Sequence, residues 1–419
     1  MYKFAHFSDA HIGVFRDPIL KNLVLDAFNQ AIDICIERQV DFVIFSGDLF
    51  DANIPDLEKA TQAVARLKEL RDNGIAIYVV YGSHDFSPTQ KSVIDLLEKA
   101  GLFVKVTKGQ TLENGKIRLE FVKDPKTGAK LVGIDGRKLG IDKEYFEVLD
   151  REALEKEDGF KIFVFHGALS EYKPATISEA DSMPVSNVPA GFDYYAAGHL
   201  HERTEGKIAG YDYVLYPGTL FGGDYGDLEK NARGEERGFY TVSFDTKVRE
   251  VEFIPISPCG YALIEYDANG KTAKRTEEEL VDRAKACDVK GQIVIVKVRG
   301  ELSTGKTSDI DFTRVRKILE EQEAKHISIN RAGLTSREYT SIRVSGEDIR
   351  QVETKLFRES IGQLKISDQR LKGEAGVQLS VKLLAVLRQS KKENESKTEY
   401  DSRILSDGSN VLGLREVIK

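Results

Sequence analysis

The 419-residue chain predicts an α/β layered fold, and three observations carry that expectation. Short β-branched or aromatic runs alternate with amphipathic stretches through the first 255 residues. Apolar residues make up 41% of the chain and charged residues 31%, a balance that supports a real core and excludes a disordered or fibrous protein. The later strand-like runs have little helix between them, which points to a mixed, two-layered sheet system rather than a purely parallel one.

Taken in order, strands are expected at 2–7, 42–46, 75–81, 131–134, 161–165, 192–197, 213–216 and 238–244, and helices at 20–39, 56–73, 92–100 and 143–156. The first helix has a clear apolar face in Leu23, Ala27, Phe28, Ala31, Ile34 and Cys35. A second unit begins after Pro255 and Pro258. It reads as strand 261–266, helix 276–286, strand 292–298, helix 312–323 and strand 326–330, a small α/β domain able to close its own core. Beyond Ser345 two helices are expected, 349–361 and 377–387. A polar run at 389–402 separates them from an apolar end around Ile404, Leu405, Val411 and Leu414. The expected layout is therefore 1–255, 256–345 and 346–419, the last a linker and helical tail of the kind that docks partners.

Several classes are excluded. The longest apolar run, 75–81, is far shorter than the ~18 residues a membrane span needs. A strand-like stretch follows Met1 directly, so no secretory signal is expected and the setting is cytoplasmic. Cys35, Cys259 and Cys287 have no CxxC spacing, which argues against a disulfide scaffold and a thiolate zinc site. The formal charge is −7, with −11 in residues 1–255 and +2 in each of the two later parts. So acidic an N-terminal part argues against a polyanionic substrate, unless some of its carboxylates neutralise bound metal.

Candidate ligands exist there. Five of the expected strands run into a polar residue at their carboxyl ends, where ligands bind in layered α/β folds. The first leads to Asp9 and His11, the second to Gly47, Asp48 and Asp51, and the third to Gly82, Ser83, His84 and Asp85. The fifth leads to His166, and the sixth to Gly198, His199 and His201. Of seven histidines in the chain, five lie at these ends; His6 and His326 lack that context and read as ordinary strand and filler residues. Aspartate and imidazole together suit manganese, iron, zinc or a pair of such ions. Two ions sharing a carboxylate would activate a water and clamp a phosphoryl group. Each motif alone is weak, since GD is often a tight turn and DxH is commonplace. Their conjunction, in order and each at a strand end, is the signal.

That order of DxH, GD, GSHD, HG and GHxH resembles the calcineurin-like metallophosphoesterases. Residues 4–13, 46–51 and 198–201 are similar in particular to the double-strand-break-repair nucleases, the branch of the bacterial SbcD nuclease and its archaeal and eukaryotic counterparts in meiotic recombination. The resemblance implies a two-sheet metallophosphoesterase core with helices outside, a small α/β capping domain that binds DNA and a helical C-terminal tail. It implies that Asp9, His11 and His201 hold one divalent metal, that His166 and His199 hold the second, and that Asp48 bridges the two, with manganese as the expected ion. It implies that His84 stabilises the phosphoryl group or protonates the leaving oxygen, and that Asp51 orients His84 and favours its cationic form. Ser83 stands where the family usually has a ligating asparagine, so the second metal site is expected to be weaker.

The implied activity is 3′-to-5′ exonuclease action on duplex DNA ends and endonuclease action on single strands or hairpins. Phosphate contacts are expected from Lys271, Lys274, Arg275, Arg314, Arg316 and Lys317 of the second domain, and from Arg233 and Arg237 on a loop at 230–237. The implied partners are DNA, an SMC-like ABC ATPase bound by the tail through Leu356, Phe357, Leu364, Leu383, Leu384 and Leu387, and a second copy of the chain meeting it through 56–73 and 92–100. The implied setting is nucleoid-associated. The alternatives are a phosphomonoesterase or cyclic-nucleotide phosphodiesterase on the same core, and a catalytically weak scaffold. Ala52 and Asn53 after Asp51 replace the arginine of the protein-phosphatase branch.

Overall fold

The structure is a computed structural model that describes residues 1–85, 92–136, 142–174, 182–337, 349–363, 368–392 and 395–414. The chain divides into two units, Met1–Ser336 and Arg337–Lys419.

The first unit opens with β1 (Tyr2–Phe7), α1 (Pro18–Glu37), β2 (Phe42–Ser46), α2 (Leu57–Asp72), β3 (Ala76–Val80), α3 (Val93–Lys99) and β4 (Val104–Lys105). Short strands β5 (Gly109–Thr111), β6 (Ile117–Leu119) and β7 (Val122–Lys123) follow, then β8 (Lys130–Ile134), α4 (Asp142–Glu147), α5 (Arg151–Glu155) and β9 (Lys161–His166). Next come β10 (Ala168–Leu169), β11 (Ser182–Met183), β12 (Tyr194–Gly198), β13 (Thr204–Ile208), β14 (Tyr211–Tyr216), α6 (Tyr225–Ala232), β15 (Gly238–Phe244) and β16 (Val248–Pro255). The unit closes with β17 (Tyr261–Asp267), α7 (Ala273–Ala286), β18 (Ile293–Leu302), α8 (Phe312–Glu321) and β19 (His326–Ser336).

Two six-stranded sheets stack face to face, in the orders β16-β15-β1-β2-β3-β4 and β13-β14-β12-β9-β8-β7. Period-two alternation explains why their central strands read as unbroken apolar runs. Phe42 and Ile44 of β2 meet Ile162 and Val164 of β9 in the core between the sheets. Val43 and Phe45 turn outward onto α1 and α2, and Phe163 and Phe165 turn onto α4 and α5. The result is a two-sheet sandwich with helices on both outer faces, the fold class expected from the sequence. Helix starts are marked by side-chain caps: Asp17 accepts from the backbone of Ile19 and Leu20 at 2.9 and 3.0 Å just ahead of Pro18, and Ser92 forms a capping box with Asp95.

β17, β18 and β19 form a parallel sheet crossed by α7 and α8. Val294, Val296 and Val298 face those helices, while Ile293 and Ile295 join the core around α1. This small sheet therefore packs on the larger sandwich through one face of its central strand.

Three expectations are corrected here. The helix expected at 143–156 is two short helices, α4 and α5, separated by Val148–Asp150. The segment expected as a loop at 230–237 begins inside α6, an eight-residue helix with too few apolar residues to show a period. The polar run 389–402 is not wholly a linker, because the described residues of the second unit include α9 (Ile349–Gln363), α10 (Gly373–Leu387) and α11 (Lys397–Leu412). Ser396 and Glu399 start α11 with a capping box inside that run. The expected boundary at 345–346 and Leu364 lie outside the described residues. No helix among the described residues is long and apolar enough to cross a membrane.

Candidate metal centre

The parallel strands of both sheets end at one rim, and the residues following them converge there. Asp9 and His11 follow β1, Asp48 follows β2, Ser83 and His84 follow β3, His166 ends β9, and His199 and His201 follow β12. The backbone is forced to turn sharply at this rim. Asp9, His11, Asp48 and His199 have φ of 50°, 43°, 51° and 96°, a left-handed region costly for residues with a Cβ. Hydrogen bonds from Asp9 N to Gly47 O (3.1 Å) and from His11 N to Asp48 O (3.0 Å) lace the first two loops together. Gly82 permits a close approach: a Cβ there would lie 2.0 Å from Asp48 Oδ1.

Among the described residues, three groups of side chains each place one donor atom per residue within 4.8 Å of one another: Asp9, His11 and His201; His11, Asp48 and His84; Asp9, Asp48 and His166. His166 Nε2 lies 3.2 Å from Asp48 Oδ2, and His11 Nε2 lies 3.8 Å from Asp9 Oδ1. His199 belongs to none of the three groups, but its ring centroid is 5.2 Å from that of His166 and its backbone N–H donates to Asp9 Oδ2 at 2.9 Å. Ser83 Oγ donates to Asp48 Oδ2 at 3.4 Å. Asp9, His11, Asp48 and His166 are buried.

Asp9 Oδ1, both ring nitrogens of His11 and His166 Nε2 are buried with no hydrogen-bond partner among the described residues. A buried polar atom left unpaired costs about 1–3 kcal/mol. Asp9 Oδ1, His11 Nε2 and His166 Nε2, gathered around Asp48, fit bound cations, while His11 Nδ1 faces Asp51; the donor set of carboxylate oxygen and imidazole nitrogen suits a divalent transition metal. The electrostatics agree. Burial opposes a charged His166, yet the Asp48 carboxylate and Asp9 push it up to about 10. Burial likewise opposes a charged His11, but Asp51, Asp48 and Asp9 raise it. Burial and then the neighbouring His166 hold His199 down to about 4. Burial works to raise Asp48, but the surrounding histidines lower it. The cluster is a sink for positive charge.

Other atoms fix the candidate ligands. His166 Nδ1 bonds to the Ser46 carbonyl at 2.8 Å, which leaves Nε2 facing the cluster. His84 Nδ1 bonds to the backbone carbonyl of Asp51 at 2.7 Å, and the Asp51 carboxylate stands farther off, 3.7 Å from that nitrogen and 3.5 Å from His11 Nδ1. Buried Asp85 accepts from Gly82 N at 3.0 Å and is raised to about 7, by burial first and then by Asp48. The sequence alone assigns no role to Ser46 or to Asp227, which bonds His201 Nδ1 at 2.8 Å. Asp85 was legible as part of GSHD; the others carry no local signal.

Among the basic residues expected to contact phosphate, Lys274, Arg275 and Lys317 pair with Glu278, Glu279 and Glu321 along their own helices. Arg237 is corrected outright. It is 4% exposed and pairs with Asp227 and Glu235, so it cannot grip a backbone from solvent. Arg233 pairs with Glu229 and Glu265, Lys271 with Glu279 and Arg314 with Glu277. Arg316 donates to the Ile327 carbonyl at 3.0 Å. His6 is fully buried between Tyr194 Oη (2.9 Å) and Ser46 Oγ (2.7 Å), and His326 lies 3.4 Å from Asp17.

Comparison with known proteins bears on the same residues. Residues 2–203 match the family model described as calcineurin-like phosphoesterase. The DNA double-strand break repair protein Mre11 of Methanococcus maripaludis is 27% identical over 285 residues, 66% of this chain and 73% of that one. The protein of the same name from Archaeoglobus fulgidus is 26% identical over 78% of this chain and 76% of its own. That from Sulfolobus acidocaldarius is 32% identical over 49% of this chain and 51% of its own.

Proposed function

Since residues 2–203 form a calcineurin-like phosphoesterase domain, we propose that this chain is a metal-dependent phosphodiesterase that cuts DNA during double-strand break repair. One observation carries the chemistry: buried, unpartnered atoms of Asp9, His11 and His166 face one another across the ends of two sheets. The choice of DNA is supported by the archaeal relatives, which are named for the repair of its double-strand breaks.

In this reading Asp9, His11 and His201 would hold one divalent ion and His166 and His199 the other, with the Asp48 carboxylate available to both. Ser83 stands beside Asp48. When bound, the ions, manganese in this proposal, supply positive charge for the phosphodiester and lower the pKa of an attacking water. His84 is less deeply buried than the ligands, with 43% of its side chain exposed. The Asp51 carbonyl fixes its Nδ1 as the donor, which leaves Nε2 as the nitrogen that would meet the phosphodiester. Asp48 Oδ1 accepts from His84 N at 2.7 Å, so the loop bearing this histidine is tied to the bridging carboxylate.

The test is incubation of purified protein with labelled duplex and hairpin DNA across a manganese series, with His84→Ser as control. Manganese-dependent shortening from the 3′ end and hairpin opening, both lost in the variant and both weakened by salt, support the reading. Hydrolysis of p-nitrophenyl phosphate without cleavage of DNA supports a small-substrate phosphoesterase instead.

Two partners belong to the same proposal. Ile54, Leu57 and Leu96 are 79, 73 and 67% exposed, apolar side chains on or beside α2 and α3 that suit a second copy of the chain. In the second unit Leu356, Leu387 and Leu405 are exposed and suit an SMC-like ABC ATPase. Removing residues 346–419 is expected to abolish ATPase association and leave DNA turnover largely intact.

A further inference from the structure

His201 is held by two separate grips. Its ring Nδ1 bonds to Asp227 Oδ2 at 2.8 Å, and its backbone carbonyl accepts from the Arg237 guanidinium. A carboxylate only accepts, so Nδ1 carries the hydrogen and the Nε2 lone pair is left for a metal. The same Asp227 oxygen accepts from Gly223 N at 2.8 Å, and Asp227 Oδ1 lies 3.4 Å from Arg237. A Cβ on Gly223 would come within 2.4 Å of the His201 ring. The loop that delivers Asp227 therefore closes directly on this histidine. Asp227 and Arg237 are both buried.

Asp227 rides on α6, and the far side of α6 meets the β17–β18 pair. Asn231, buried near the end of α6, donates to the Tyr261 hydroxyl of β17 at 3.1 Å and accepts from Arg237 Nε at 2.6 Å. A hydrogen-bonded chain thus runs from Tyr261 through Asn231 and Arg237 to the His201 carbonyl. Outside it, Glu229 pairs with Lys297 of β18, and Arg233 pairs with Glu265 of β17. Partly exposed ion pairs contribute little. The hydrogen-bonded chain, buried at Asn231 and Arg237 and half-buried at Tyr261, is the stronger link, because losing one member takes a partner from a buried polar group; Asn231 Nδ2 also donates to the Phe221 carbonyl at 2.7 Å.

We propose that α6 is a positioning strut: Asp227 sets the ring of His201 for its metal, and the chain from Tyr261 ties that setting to the β17–β19 sheet. The inference rests on reading His201 as a metal ligand. Asp227, Arg237, Asn231 and Tyr261 are positioning residues that touch neither metal nor substrate. Their consequence is asymmetric. A disturbance of the small sheet reaches the ion on the His201 side and leaves the ion on the His166 side alone.

The test is calorimetric titration of Mn2+ into the metal-free full-length chain, with thermal melting of the metal-free protein alongside. It compares the natural protein with Asp227→Ala, Asp227→Asn and Tyr261→Phe. The natural protein is expected to bind two ions. In the Asp227 variants one of them weakens roughly 10–100-fold while the other stays within about threefold. Tyr261→Phe, which removes a single hydroxyl remote from the ions, weakens the same one by severalfold. Asp227→Asn preserves size and one acceptor, and so reports if Asp227→Ala does not fold. Equal loss of both ions in step with a lower metal-free melting temperature would show a merely structural role and overturn the strut. So would unchanged binding in the Asp227 variants, or in Tyr261→Phe. A natural protein that binds no Mn2+ overturns instead the reading of His201 as a ligand.

Discussion

Asp48 Oδ2 lies 3.2 Å from His166 Nε2 and 4.0 Å from His11 Nε2, so one carboxylate joins the ends of two different sheets. Asp48 follows β2 of one sheet, and His166 ends β9 of the other. Each imidazole faces the carboxylate with a nitrogen that has no hydrogen-bond partner among the described residues. Asp48→Asn keeps the shape and removes the charge. Manganese binding measured by calorimetry is expected to fall from two ions to at most one, at least about tenfold weaker. Unchanged stoichiometry and affinity would contradict a bridging role.

Gly82→Ala tests the convergence itself. The added Cβ would sit 2.0 Å from Asp48 Oδ1 and 2.2 Å from Asp48 N, so the loop after β3 must withdraw from Asp48. The metal-free protein should lose about 1–3 kcal/mol of stability by overpacking. Both manganese ions should weaken. Denaturant melts and calorimetry of the same sample check this, and normal metal binding would show that the close approach is not needed.

Ser83→Asn gives the rim a longer side chain with an amide oxygen. Ser83 Oγ is 3.4 Å from Asp48 Oδ2, near that carboxylate but too short to reach far past it. The manganese concentration for half-maximal hydrolysis is expected to drop about tenfold. A metal titration that overlays the natural protein's would sink this account of Ser83.

His6 makes metal-free stability sensitive to acid. Burial holds its folded-state value down to about 3, whereas an unfolded histidine titrates near 6.5. Below about pH 6.5 the unfolded chain therefore gains a proton that the folded chain refuses. Its contribution is intact above that pH and is lost as pH falls toward 3, with a slope of up to about 1.4 kcal/mol per pH unit. In EDTA, His6→Gln should give a shallower decline between pH 6.5 and 4.5. Parallel curves for the two proteins would rule His6 out as the cause.

The rim was legible in the sequence because Asp9, His11, Asp48, Ser83, His84, His166, His199 and His201 each follow an apolar strand run within a few residues. Parallel strands then bring their ends together without any further information. The strut was not legible. Asp227 lies 26 residues from His201, on a helix too short to show an apolar face. Arg237 looked like a phosphate contact because residue type does not tell a buried arginine from an exposed one. β16 escaped notice for a related reason: Arg249, Glu250 and Glu252 interrupt it on the solvent side of an edge strand, where one face needs no apolar residues. The capping box of Ser396 and Glu399 was present in the sequence, but lysines and glutamates around it read as a linker.

The most direct test of the metal centre is anomalous diffraction from crystals of the full-length chain soaked in manganese. Two peaks are expected roughly 3.5–4 Å apart with Asp48 between them, one beside Asp9, His11 and His201 and the other beside His166 and His199. A map with no peak at the rim, or with manganese bound elsewhere on the chain, would contradict the account.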